Sequence, residues 1–131
     1  MTMARPGPEL VRYTGPIVET IQRYGGYARI HSHGRLRRIL PAIASMSPAG
    51  LDPIEPPPQG DMTLKEVRQQ VGNQMALFGN IEASEIELLT PAAFEQRVRQ
   101  ALAEGTAGRG RGFVLMPSAC PYGRNISDQI L

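Results

Sequence analysis

The strongest constraint on the fold of this chain is a fourfold alternation of helix-like and strand-like segments. Apolar residues at helical spacing are followed four times by a short apolar run of the kind that buried strands have, at residues 27–31, 51–55, 75–78 and 113–116. Helices that alternate with strands at a spacing of roughly 20 to 35 residues are typical of βαβ units. The sequence therefore predicts an α/β fold with a parallel sheet.

The four units fix the expected architecture and size. An apolar pattern predicts a first helix that begins near Pro16, and a second apolar pattern predicts a helix that Pro41 kinks. A capping box at Thr63 predicts the start of the third helix, and Thr90-Pro91 predicts the start of a fourth helix that ends at Gly105. Four βα units are half of a (β/α)8 TIM barrel, which normally needs about 250 residues. The 131 residues are therefore predicted to form one partial barrel domain, residues 1–131, in which residues 1–8 are a loose N-terminal segment.

Composition excludes several classes of protein. The 14 basic and 12 acidic residues nearly balance, Trp is absent and aromatic residues make up 5%, so neither the charge nor the stacking groups of a nucleic-acid binder are present. No stretch approaches the roughly 20 apolar residues of a membrane helix, and the first ten residues lack the apolar core of a signal peptide. We therefore expect a cytoplasmic protein that binds neither nucleic acid nor membrane.

Candidate functional residues follow the predicted strands. His31 and His33 come at the end of the first strand, Glu55 at the end of the second, Asn80 after the third and Cys120 after the fourth. Reactive groups in α/β proteins gather at the carboxyl ends of parallel strands. Two imidazoles, a carboxylate and a thiol are ligands that zinc takes, so the sequence predicts a zinc site at this edge.

On the residues alone, each of these features has a second interpretation. His31 and His33 are polar side chains at the rim of the sheet, and Cys120 is a small buried hydrophobe. Arg35, at a predicted helix start, is either a substrate-binding residue for an anionic group or part of a solvated helix face. Asn80 either orients substrate or caps the end of its strand.

Three segments carry a resemblance to a known family. Residues 31–34 (HSHG), 56–64 (PPPQGDMTL) and 77–81 (LFGNI) resemble the C-terminal half of the uroporphyrinogen decarboxylase superfamily, and the resemblance covers the chain from about Glu9 to its end. That superfamily has a (β/α)8 barrel. It includes cofactor-free porphyrinogen decarboxylases and zinc-dependent methyltransferases that work with corrinoid proteins or thiol coenzymes.

The methyltransferase branch implies a specific set of metal ligands. Its members hold zinc with a His-x-Cys pair and a second Cys near the last strand. Here His31 matches the histidine, His33 replaces the first cysteine, and Cys120 matches the last cysteine; Glu55 is the candidate fourth ligand that substrate displaces. The decarboxylases instead place a histidine near the last strand and keep most substrate-binding arginines and an essential aspartate in the other half of the barrel.

The resemblance thus implies a fragment or subunit that carries out zinc-dependent methyl transfer on a small-molecule substrate, with any corrinoid carried by a partner protein. The alternatives are a metal-free carboxy-lyase and a non-catalytic half-barrel subunit. Half a barrel leaves two open sheet edges, which are an aggregation hazard unless they are paired. We therefore expect either an N-terminal half-barrel chain or a second copy of this chain, in a homodimer, as the partner.

Overall fold

The computed structural model describes residues 6–108 and 112–119. Helices and strands alternate along this part of the chain, with one additional helix after the third strand. No helix in these residues is both long and apolar enough to cross a membrane. In chain order the elements are α1 (Pro6–Arg23), β1 (Arg29–His31), α2 (Leu40–Ser45), β2 (Gly50–Ile54), α3 (Leu64–Val71), β3 (Ala76–Ile81), α4 (Ala83–Leu88), α5 (Pro91–Gly105) and β4 (Phe113–Pro117).

The described strands form one parallel sheet in the order β1-β2-β3-β4. Ile30 of β1 lies beside Leu51 of β2, and Leu51 lies beside Leu77 of β3. Each connection from one strand to the next contains helix, as parallel neighbours require. The predicted α/β class and parallel sheet are confirmed. All four strands end at the same edge, which we call the carboxyl edge.

One face of the sheet is buried under the helices. Ile30, Leu51 and Leu77 are buried on this face and join the helices in a single apolar cluster. The cluster supplies the apolar burial that stabilises the sheet. Its helix-borne members are Val18, Leu40, Ile43, Leu64, Val67, Val71 and Ala101.

Pro53 lies inside β2, which is a central strand. Proline cannot donate a ladder hydrogen bond, so it weakens a strand prediction at this position. The pairing of β2 with β3 changes register between Leu51 and Ile54, the stretch that contains Pro53. The missing donor therefore falls where the ladder is irregular, and the strand continues to Ile54.

The first helix differs most from its prediction. We expected it to begin near Pro16, but α1 begins at Pro6 and contains Pro16 in its interior. Packing explains why proline does not end this helix: Val18 is buried in the core, while Pro16 lies on the exposed side. The second helix is shorter than its apolar pattern, because residues 37–39 form turns before α2 begins.

The later helices begin and end as predicted. Thr63 caps α3 in a capping box with Glu66, and α5 runs from Pro91 to Gly105. The short helix α4 is absent from the prediction because its sequence, ASEIEL, is too short for a helical apolar pattern. The predicted start of a helix at residues 126–131 lies outside the described residues.

A buried arginine joins three elements on the side of the molecule opposite the carboxyl edge. Arg68, on α3, is 3% exposed and donates to the carbonyls of Gly105 at 2.8 Å, Gly72 at 2.6 Å and Gly112 at 3.1 Å. Burial lowers the pKa of Arg68. These bonds connect α3 to the end of α5 and the beginning of β4, so they help to set the position of the fourth strand.

The capping box of α3 makes a contribution to stability that depends on pH. The pKa of Glu66 is lowered from 4.5 to about 2 by the Thr63 backbone N–H, by the Arg37 guanidinium and by the Thr63 hydroxyl. Because this folded-state pKa is depressed, ionised Glu66 stabilises the fold above about pH 4.5, and the contribution is lost as the pH falls towards 2.

We therefore expect Glu66→Gln, which keeps an acceptor in the capping box, to lower the free energy of unfolding at neutral pH. The difference from wild type should shrink as the pH falls through this window. Denaturant unfolding followed by circular dichroism at a series of pH values measures it. The matched control is Glu95→Gln, which removes an exposed carboxylate paired with Arg99 within α5. A Glu66 difference that stays constant with pH would contradict the assignment.

Candidate functional site

The pairing of β1 with β2 brings together three of the predicted site residues. His31 is the last residue of β1 and lies beside Asp52 of β2 in the parallel register. His33 follows two residues after His31, and Glu55 comes directly after β2. As predicted, both histidines lie at the carboxyl edge together with Glu55. Asp52 joins them, although the sequence analysis did not single it out.

The two imidazole rings face each other. Nε2 of His31 lies 2.9 Å from Nε2 of His33, and the rings meet edge to face with centroids 4.7 Å apart and planes at 75°. Both side chains are about half exposed, at 59% for His31 and 49% for His33. The two nitrogens are therefore close enough to share one bound atom, and solvent can reach the rings.

Each ring is held from behind by its own carboxylate. His31 Nδ1 lies 3.2 Å from Asp52 Oδ2, and His33 Nδ1 lies 2.9 Å from Glu55 Oε1. The side chains of Asp52 and Glu55 are 5% and 8% exposed. Burying a carboxylate is costly unless it accepts hydrogen bonds, so these contacts offset part of that cost and also fix the ring orientations.

The proton positions follow from these contacts. A carboxylate only accepts, so Nδ1 of each ring carries the donated hydrogen. In a neutral imidazole the other nitrogen, Nε2, then has a lone pair. Two lone pairs facing each other at 2.9 Å repel unless a cation, either a proton or a metal ion, lies where both can reach it. A cation between the two rings would relieve this repulsion.

The surrounding charges also favour a cation. Asp52 and Glu55 place two negative charges behind the rings, and Arg29 supplies one positive charge with its Nε 3.5 Å from Asp52 Oδ2. Asp52 Oδ1 is buried and has no hydrogen-bond partner among the described residues. With both rings neutral, the cluster of these five side chains has an excess of one negative charge.

Two glycines allow the backbone to approach Glu55. Gly34 has a φ of +80°, which favours glycine, and its N–H donates to Glu55 Oε2. At Gly60, a Cβ atom would clash with the carbonyl oxygen of Glu55. The chain after β2 therefore folds back closely over Glu55, and both oxygens of the Glu55 carboxylate accept hydrogen bonds. Its predicted role as the fourth metal ligand stays a prediction.

Asn80, predicted to bind substrate, has its side chain engaged within the fold. Its Nδ2 donates to the carbonyl of Ile54 at 3.2 Å, and its Oδ1 accepts from Arg97 of α5 at 2.7 Å. Arg97 also pairs with Glu85 at 2.7 Å. These contacts join the ends of β2 and β3 to α5. They agree better with the alternative interpretation, in which Asn80 caps the end of its strand.

The arginines after the histidine pair differ in their contacts. Arg35 is exposed and makes no hydrogen bond or ion pair within the described ranges 6–108 and 112–119. Arg37, by contrast, donates to the carbonyl of Asp61 at 2.7 Å and to Glu66 at 2.9 Å. Arg35 therefore has an exposed guanidinium without a partner in the described part of the chain, as its predicted role of binding an anionic group requires.

A buried hydrogen bond between a hydroxyl and a carboxylate lies further along the carboxyl edge. Ser118, just after β4, donates from Oγ to Glu82 Oε1 at 2.6 Å, and both residues are buried. The sequence analysis singled out neither residue. Glu82 could have been noticed by its position directly after β3. The contact joins the ends of β3 and β4.

The thiol of the predicted metal set lies outside the described residues, since these end at Ala119 and Cys120 follows. Among the residues that are described, no group of three or more His, Cys, Asp or Glu side chains is arranged to hold a metal ion. The described part thus offers two nitrogen ligands, His31 and His33.

A scan of protein-family models and a search of curated proteins find no match to this chain.

The hydrogen-bond pattern predicts the tautomers of both histidines. We expect Nδ1–H on His31 and on His33 at neutral pH, which long-range ¹H–¹⁵N NMR of the rings measures. Asp52→Asn should weaken this preference in His31 alone, and Glu55→Gln should weaken it in His33 alone. Each variant is therefore the control for the other. An Nε2–H tautomer on both rings of the wild type would contradict the geometry.

Proposed function

We propose that this chain is a member of the uroporphyrinogen decarboxylase superfamily, forms half of its (β/α)8 barrel, and carries a zinc site for methyl transfer. One observation carries the proposal: two imidazole Nε2 atoms 2.9 Å apart, each on a ring held by a buried carboxylate, at the carboxyl edge of a parallel sheet. Histidines that bind metal through one nitrogen usually donate the other N–H to a carboxylate or carbonyl.

The residues fit a zinc ion in their chemistry. His31 and His33 would supply two neutral nitrogen ligands, and the resemblance assigns the thiolate of Cys120 as the third. Three protein ligands leave a position open for substrate, which is the arrangement of catalytic zinc sites. When bound, zinc supplies Lewis acidity, which holds a thiol substrate as thiolate or polarises a methoxyl oxygen.

The other residues of the site orient and bind. Asp52 and Glu55 keep each ring in the tautomer that presents Nε2, and Gly34 holds Glu55 in place through its backbone N–H. Arg35 would attract a carboxylate, phosphate or sulfonate on the small-molecule substrate, because its guanidinium is exposed and free of partners in the described part of the chain. A corrinoid, where one is the methyl carrier, would come on a partner protein.

A metal-free carboxy-lyase is the second candidate, and the same observation gives it support. A proton shared between His31 and His33 would also satisfy the facing lone pairs. Half-exposed rings backed by buried carboxylates could deliver that proton to the carbon from which carbon dioxide has left, as a general acid. Metal binding separates the two candidates, since only the first requires zinc.

Zinc content is the direct test of the first candidate. We expect the purified chain, loaded with zinc and dialysed, to retain one ion per chain by native mass spectrometry. His31→Ala, His33→Ala and Cys120→Ser should each lose it. Asp52→Asn and Glu55→Gln should retain a weaker site, with affinity lowered about 10-fold to 100-fold, because they disturb ring orientation without removing a ligand.

Arg35→Gln is the matched control and should bind zinc like wild type, because Arg35 is assigned to substrate. A wild-type chain without zinc affinity would contradict the methyltransferase assignment and favour the carboxy-lyase. Zinc bound equally well by Cys120→Ser would contradict the ligand set taken from the resemblance.

A further inference from the structure

The first helix exposes a line of large apolar side chains. Tyr13, Ile17, Ile21 and Tyr24 are 66%, 60%, 40% and 84% exposed. The spacing of Tyr13, Ile17 and Ile21 places them along one side of α1, and Tyr24 follows directly after the helix ends, while Val18 is buried in the core. We call these four residues the α1 stripe. An exposed apolar stripe of this kind marks a surface that another protein element covers.

The opposite end of the sheet exposes a second apolar surface. Leu102 on α5 is 43% exposed, and Val114 and Leu115 on β4 are 42% and 36% exposed. Because successive strand residues point to opposite faces, Val114 and Leu115 expose apolar surface on both sides of β4. We call these three residues the β4 surface. The α1 stripe and the β4 surface together contain seven of the exposed large apolar residues; the others in the described part of the chain are Tyr27, Leu88 and Leu89.

Both outer strands also lack a neighbour on one side. In the described part of the chain β1 pairs with β2 alone and β4 pairs with β3 alone. Along the uncovered face of the sheet, a cavity of about 380 Å³ opens between Arg29 and Phe78, and the Arg29 guanidinium lies 5.0 Å from the Phe78 ring centroid. Unpaired strand edges beside apolar side chains are prone to pair with another chain.

We propose that a second copy of this chain covers these surfaces, so that two copies close one eight-stranded barrel. β1 of each copy would pair in parallel with β4 of the other, at two equivalent junctions. At each junction the α1 stripe of one copy would cover the β4 surface of its partner. The uncovered sheet faces would then form the interior of the barrel.

A second copy fits because the chain carries both halves of each junction. A barrel junction needs a free strand edge, a parallel neighbour, and a helix packed over the pair. β4 ends the sheet without a following helix among the described residues, whereas β1 is preceded by α1, whose stripe is uncovered. Four strands from each of two copies make the eight of a barrel of this type, and a two-fold axis along the barrel leaves no edge unpaired.

The inference rests on the half-barrel of the proposed function, but the count of chains in solution tests it without reference to zinc, so its failure is distinguishable from failure of the zinc site. Size-exclusion chromatography with light scattering on the full chain at micromolar concentration should give two chains per particle. Ile17→Asp, in the α1 stripe, and Val114→Asp, in the β4 surface, should each give single chains. Both side chains are exposed in one copy, so far-UV circular dichroism should keep its wild-type helix signal.

Leu88→Asp is the matched control, because Leu88 is 80% exposed and lies in α4, outside both surfaces. It should remain a particle of two chains. A wild-type chain that stays single would overturn the proposal and assign both surfaces to a different βα chain. Large particles of mixed size would also overturn it, since they mean that the edges of β1 and β4 associate without closing a barrel. A particle of two chains in both the Ile17→Asp and the Val114→Asp variants would overturn it as well.

Discussion

Parallel pairing of β1 with β2 is the constraint on which the site depends. Because the two strands are parallel and His31 lies beside Asp52, the segments that follow β1 and β2 begin at the same edge of the sheet. Two short segments far apart in sequence thereby supply the two rings and the two acids. An antiparallel pair would have put His31 and Glu55 at opposite ends of the sheet, and no cluster would form.

The two buried carboxylates and the two imidazole rings form hydrogen bonds that each pair needs. Asp52 and Glu55 are almost completely buried, and burial of a carboxylate without partners is unfavourable. The Nδ1 donors of His31 and His33 offset that cost, and the same contacts turn both Nε2 atoms towards each other. The contacts that offset the cost of burying the two acids therefore also fix how the two rings face each other.

Much of the fold could be predicted from the sequence, because periodic apolar segments and caps are local signals. The four strands, the capping box at Thr63 and the helix from Pro91 to Gly105 were of this kind. Pro16 misled the prediction of the first helix, because a proline beside an apolar pattern is typical of a helix start, whereas α1 continues on both sides of Pro16. Likewise, His31, His33 and Glu55 could be placed at one edge from their positions after strands.

The partners of these residues could not be predicted in the same way. Asp52 precedes a proline within a buried strand, and only the register of β1 against β2 shows that it meets His31. The engagement of Asn80 by Arg97 depends on how α5 crosses the end of β3. Long-range contacts of this type need the packed structure, whereas residue type and strand position indicate the chemistry of the edge.

The central claim is that the facing nitrogens of His31 and His33 bind one metal ion. X-ray absorption at the zinc edge of the zinc-loaded chain tests it directly, because histidine rings give a characteristic multiple-scattering signal. The account predicts two imidazole nitrogens and one sulfur around each zinc ion. A spectrum with oxygen neighbours and no imidazole signal would contradict it, and would leave the histidine pair as a proton site.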